Sequence, residues 1–126
     1  MSEVRANTIS AANGTGPVTL TKQHAAKVYC NVNQTSTQAI RSSFNVSSIT
    51  DGGSGQTVIT YSSNMSSADY GFVCGKGRTN GQNGGVIAHT NNTDPSASLI
   101  RLLTFIENNT AADDARTNVA IHGDLA

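Results

Sequence analysis

The sequence predicts an all-β domain, with short strands arranged as a sandwich or barrel. Three observations predict it. Ser, Thr and Asn make up roughly a third of the 126 residues, far above their usual share. The apolar stretches are short and rich in Val, Ile and Thr, which suit strands. Clusters of Gly, Asn, Asp and Ser interrupt them about every ten residues, and these are turn formers.

The length allows one domain and one modest core. Only 13% of residues are charged and the formal net charge is zero. A disordered chain would trade apolar residues for net charge, so the composition argues against disorder. No basic stripe is present, which argues against a nucleic-acid partner. No run approaches membrane-spanning length. Ser2-Glu3-Val4-Arg5 lacks the apolar segment of a signal peptide, so the expectation is a soluble protein made in a cytoplasm.

Residues 1–25 offer little to build a core and read as an extended N-terminal arm. Asn13-Gly14-Thr15-Gly16-Pro17 is a loop, and Val18-Thr19-Leu20-Thr21 alternates like a short strand. An arm that cannot bury itself needs another chain or a partner surface. Residues 26–126 are the expected β domain. Val28, Cys30 and Val32 alternate with Tyr29, Asn31 and Asn33, giving one apolar face. Ala39-Ile40-Arg41 and Phe44-Asn45-Val46 follow as short strand signals. Asp51-Gly52-Gly53-Ser54-Gly55 is a turn cluster ahead of Gln56-Thr57-Val58-Ile59-Thr60-Tyr61, which predicts a hairpin with a longer loop. Tyr70-Gly71-Phe72-Val73-Cys74, Val86-Ile87-Ala88 and Val119-Ala120-Ile121 are further short strands.

One segment carries two signals. Leu99, Leu102, Leu103 and Ile106 stand at helical spacing, Asp94 would cap that helix, and Pro95 would take its first position. Yet Leu99-Ile100-Arg101-Leu102-Leu103-Thr104 also reads as a strand, apolar on both faces apart from Arg101. Local pattern leaves the choice open over 95–108.

Signals for chemistry are weak. His24, His89 and His122 lie far apart, and none has ligand spacing, so no metal and no cofactor is expected. Cys30 and Cys74 lack metal spacing and read as two small buried thiols in a reducing compartment. Their pairing cannot be read from sequence. No hydroxyl sits in a nucleophile elbow. Asp51, Asp113 and Asp114 read as turn residues in solvent rather than as a paired acid and base. No catalytic residue is expected. The Asn-X-Ser/Thr sequons, for example at Asn33 and Asn45, arise by chance in such a composition.

Gly75 to Gly85 is the richest loop, though not a phosphate loop. Long polar loops between strands are exposed and can offer amide and guanidinium donors to a ligand such as a glycan. The candidate binding residues are therefore Lys76, Arg78, Asn80, Gln82 and Asn83, with Asn91 and Asn92 in a second loop.

Several strings then resemble a family of small tailed-bacteriophage virion domains, usually described as tail fibre or structural proteins. Lys27-Val28-Tyr29-Cys30-Asn31-Val32-Asn33 resembles the family's opening strand. Ala39 to Gly55, densest over Phe44-Asn45-Val46-Ser47-Ser48-Ile49-Thr50-Asp51, resembles its most specific segment. Asn64-Met65, Ala68-Asp69-Tyr70 and Asn118-Val119-Ala120-Ile121-His122-Gly123-Asp124 are similar to later stretches. The likeness spans roughly Lys27 to Ala126, and Ser2–Lys22 resembles the arm preceding this domain in many members. Tyr29 stands where Trp is usual, Cys30 and Val32 replace Val and Phe, and His122 replaces an aromatic. The resemblance implies an antiparallel, jelly-roll-like β-sandwich, homotrimeric and displayed on the virion surface. It also makes Leu99–Thr104 a strand.

Two roles follow from that implication. The first is host attachment as a tail fibre or tail-tip component, binding a surface glycan or protein through loops. The second is decoration or cement of the head, with the arm lying across neighbouring capsid subunits. A short chain opening at Met1 without a long fibre shaft fits the second role. A depolymerase is a remote third. Expected partners are other copies of the chain, other virion proteins and a host surface.

Overall fold

The computed structural model of the chain describes residues 25–77, 84–88 and 95–126. Eight strands run in the order β1 Val28–Asn33, β2 Ala39–Phe44, β3 Val46–Gly53, β4 Gln56–Tyr61, β5 Gly71–Lys76, β6 Gly84–Ala88, β7 Leu99–Ile106 and β8 Thr117–His122. They form two four-stranded antiparallel sheets, ordered β2-β1-β8-β5 and β3-β4-β7-β6. Three hairpins, β1–β2, β3–β4 and β6–β7, stay within a sheet. The other connections pass from one sheet to the other. The described residues contain no helix. The all-β architecture expected from composition and turn spacing is therefore observed, and of the sandwich and barrel that the pattern left open it is the sandwich. The arm expected over residues 1–25 lies outside the described residues except for Ala25.

The core follows from alternation. Val28, Cys30 and Val32 of β1 face Val119 and Ile121 of β8 within the first sheet. Ile59 and Tyr61 of β4, with Ile100 and Leu102 of β7, supply the second sheet's inner face. All are buried. Each fully buried aliphatic side chain contributes about 2 kcal/mol by leaving water. The four central strands β1, β8, β4 and β7 thus carry most of the apolar burial, and the edge strands carry less.

The ambiguous segment is a strand. β7 lies between β4 and β6, pairing Leu102 with Thr57 and Ala88. Ile100, Leu102 and Thr104 point inward, and Leu99, Arg101 and Leu103 point outward. Backbone pairing on both sides outweighs the local helical spacing.

Two local expectations need correction. Phe44-Asn45-Val46 is not one strand: Phe44 ends β2, and Val46 begins β3 in the other sheet. The hinge is Asn45, at a positive φ of 57°. Asn tolerates that left-handed conformation better than most residues. Its side chain then holds the corner, donating from Nδ2 to Lys27 O at 3.1 Å and Ser63 O at 3.0 Å, and accepting at Oδ1 from Ser63 N at 2.7 Å.

The β3–β4 hairpin is also tighter than expected. Pairing continues to Gly53↔Gln56, leaving only Ser54 and Gly55 in the turn. Asp51 Oδ1 accepts from Gly53 N at 2.8 Å, which stabilises a short turn in place of a loop. Gly55, at φ 69°, sits against the backbone of Thr104 and Ala112, where no Cβ would fit.

The cysteines are free thiols. Cys30 and Cys74 both pair with Val119, one from each side of β8. Two strand spacings put their Cα atoms about 10 Å apart, beyond the roughly 7 Å a disulfide spans. Burial pushes the Cys30 thiol up to about 11 and raises that of Cys74 as well. Cys74 donates through Sγ to Val86 O at 3.4 Å, tying β5 to β6 across the two sheets.

Candidate interaction face

The two ends of the sandwich are closed differently, and their closure directs attention to the sheet faces. At one end Tyr61 and Tyr70 meet edge to face, with ring centroids 6.2 Å apart and hydroxyls 2.8 Å apart. Tyr70 Oη donates toward Ser96 O and Leu99 O. Burial and the Tyr70 hydrogen bond hold the Tyr61 hydroxyl above the usual phenol range, so it stays protonated. This end is sealed by an aromatic pair whose polar tips are satisfied.

The other end is sealed by buried polar side chains. Gln34 donates from Nε2 to Gly55 O and Thr57 Oγ1, each at 3.1 Å. Its Oε1 accepts from Asp114 N at 3.1 Å and Thr117 Oγ1 at 3.0 Å. Every capacity of one buried amide is thus spent bridging β1, the β3–β4 turn and the approach to β8. Asp114 Oδ1 accepts from Arg116 N at 2.9 Å, and Asp114 Oδ2 lies 3.6 Å from Lys76 Nζ. Lys76 Nζ also donates to Phe105 O at 3.2 Å. The side chains of Lys76 and Asp114 are only 8% and 3% exposed.

Two expectations change here. Lys76 is not on an exposed loop: it ends β5 and its ammonium is spent on a buried ion pair. Asp114 is not a solvated turn residue, because its carboxylate has that cation and a backbone donor. Asp51 and Asp113 are exposed as expected. Asp113 Oδ1 nevertheless accepts from Gly55 N at 2.7 Å.

The open surface is the outer face of the first sheet. Register sets Phe44, Tyr29, Ala120 and Val73 in one row across β2, β1, β8 and β5. Phe44 is 61% exposed and Val73 68%. The next row along the strands is Ser42, Asn31, Asn118 and Gly75. Gly75 lets the Asn118 amide lie flat over β5, where an added Cβ would come within 3.4 Å of it. An apolar row with two aromatic rings therefore runs beside a row of amides and a hydroxyl, with no charged side chain in either.

The side chains of Tyr29, Ser42, Asn31 and Asn118 make no hydrogen bond with other described residues. Asn31 Oδ1 is buried without a partner. By contrast Asn33, Gln34, Gln38 and Asn45 all spend their side chains on turns, corners or the closed end.

Strand β2 borders this face, and all six of its residues are exposed. Arg41 is the extra residue of a bulge opposite Asn31 and Val32, and its Nε donates to Ala115 O at 2.9 Å. A bulge and a cation blunt an edge without covering it.

The loop residues expected to bind ligand, Arg78, Asn80, Gln82, Asn83, Asn91 and Asn92, lie outside the described residues, as do His24 and His89. His122 ends β8, half-buried. Among the described residues no three His, Cys, Asp or Glu side chains gather as metal ligands. The face residues were missed by sequence reasoning because each is unremarkable alone. Outward parity on β1 was visible in Tyr29 and Asn31, but only register aligns them with Phe44, Ala120 and Val73.

Comparison of the chain with models of known protein families, with curated proteins and with solved structures finds no match.

Proposed function

We propose that the chain is a structural protein on the surface of a tailed-bacteriophage particle, a tail-fibre or tail-tip component that takes part in host attachment and does no catalysis. The observation that carries this reading is the pair of uncharged rows on the outer face of the first sheet, with Phe44 and Val73 more than half exposed. A stable sandwich that leaves aromatic and apolar side chains on one flat face is built to meet another surface. The resemblance over Phe44–Asp51 supplies the context. In this account the protein assembles as a homotrimer, with its two sheets in a jelly-roll-like wrap. Residues 1–25 join it to other virion proteins, and Arg78, Asn80, Gln82, Asn83, Asn91 and Asn92 extend the contact with the host. Three identical sites raise the effective concentration at a cell surface.

One observation favours a second reading. The edge strand β2 is exposed along its whole length, and an open edge can accept a strand from a neighbouring subunit. Strand addition at that edge would let the chain dock on a capsid subunit as a head-decoration protein.

Immunogold labelling of intact particles with antibody to this chain separates the two. Label at the tail end is expected. Label spread over the head replaces attachment with decoration, and particles without label remove the chain from the virion surface.

A further inference from the structure

We propose that the outer face of the first sheet binds a neutral glycan, with Phe44 and Tyr29 as the stacking platform and Asn31, Ser42 and Asn118 as the hydrogen-bonding row. The inference rests on the attachment reading above and moves the ligand from the loops to the sheet face.

The chemistry of the face selects the ligand. A pyranose ring has an apolar C–H face and an equatorial rim of hydroxyls. The C–H face stacks on an aromatic ring, whose π-cloud is electron-rich. The rim needs partners that both donate and accept, which amides and hydroxyls do. Register places those two requirements in adjacent rows: Phe44 and Tyr29 in one, Ser42, Asn31 and Asn118 in the next. The row from Phe44 to Val73 crosses three strand spacings, roughly 14 Å, enough for a short run of sugar rings.

Absence of charge from both rows points to a neutral sugar. The polar groups are unspent: the side chains of Asn31, Ser42, Asn118 and Tyr29 hold nothing else among the described residues. Asn31 Oδ1 is an acceptor with no partner among the described residues, and a group left so calls for an explanation. A flat apolar partner would strand these amides without water, and a glycan would satisfy them.

The test is a titration of the full-length, isotope-labelled protein, followed by amide nuclear magnetic resonance. The probes are maltohexaose, cellohexaose, mannohexaose and chitohexaose, with oligogalacturonate as an acidic control. Shifts concentrated on Tyr29, Asn31, Ser42, Phe44, Val73 and Asn118 with at least one neutral probe are expected. Phe44→Ala should weaken that binding at least tenfold and Phe44→Trp should keep it, both with unchanged melting temperature because Phe44 is exposed. Asn118→Ala should weaken it several-fold. The proposal is overturned by shifts that fall elsewhere, by no shifts with any neutral probe, by preference for the acidic control, or by concentration-dependent shifts of the same amides without sugar, which would make the face a self-association surface. A negative titration leaves the virion reading intact, because that reading stands or falls on where antibody labels the particle.

Discussion

Asn45 shows how much one residue can decide. It supplies the left-handed backbone that turns the chain from one sheet to the other, and its amide ties three backbone groups at that corner. Replacing it by Ala removes both and should cost about 2 kcal/mol in urea unfolding. Asn45→Gly restores the backbone freedom without the amide, so its stability should fall between the two. Cys30 makes a pH-dependent contribution. Its thiol titrates near 11 in the fold against an ordinary 9.0. Above the ordinary value the unfolded chain loses that proton while the native state keeps it, so rising pH favours unfolding. The contribution is whole below about pH 9 and gone above about pH 11, a loss of about 3 kcal/mol. Tyr61, also raised, adds in the same direction from the ordinary phenol range upward. Cys30→Ala should flatten the decline between pH 9 and pH 11, read by denaturant unfolding at stepped pH. An unchanged slope would mean the thiol is not buried.

At the scale of elements, β7 is where local and long-range preferences compete. Its helical spacing is real, but the strand buries Ile100 and Leu102 and fills both neighbouring backbones. Leu102→Ala should cost about 3 kcal/mol through lost transfer energy and the cavity left behind. An isolated peptide of residues 95–109 should become helical in trifluoroethanol, by circular dichroism, because the tertiary pairing is then gone. A peptide that stays unstructured there would show that its helical spacing is incidental. The Lys76–Asp114 pair joins the end of β5 to the approach to β8. Removing Lys76 takes a charged donor from a buried carboxylate, so Lys76→Ala should destabilise by about 2 kcal/mol. Thermal unfolding checks it, and an effect near zero would place the pair in solvent.

For the whole molecule, the question is what meets the open face and the open edge. The two ends are closed by satisfied groups, an aromatic pair at one and the Gln34 network at the other. The outer face of the first sheet and the β2 edge are not. A homotrimer predicts a sedimentation-equilibrium mass about three times the 13.0 kDa of the chain. A mass of one chain at micromolar concentration would remove the trimer from the account and leave a monomeric attachment domain. Because Cys30 and Cys74 flank β8, both thiols should titrate with a thiol reagent after unfolding, without prior reduction.

Much of the architecture was legible in the residues. Period-two alternation in Val28–Asn33 and turn clusters at regular spacing determined a β protein, because side chains on a pleated strand must alternate between core and water. The Gly-rich turn before Gln56 announced a hairpin, although not its tightness, which depends on Asp51 and on Gly55 lying against the backbone of Thr104. Other features needed the assembled fold. Whether residues 99–106 are helix or strand was settled by pairing partners far away in sequence. Lys76 and Asp114 looked like surface residues because burial of a charge depends on a counter-charge 38 positions distant, brought near only by the topology. The candidate face likewise came from register. The sequence by itself determined which residues point outward on each strand; the tertiary structure decided which of them stand side by side, since register is set by pairing between strands and not by any one of them.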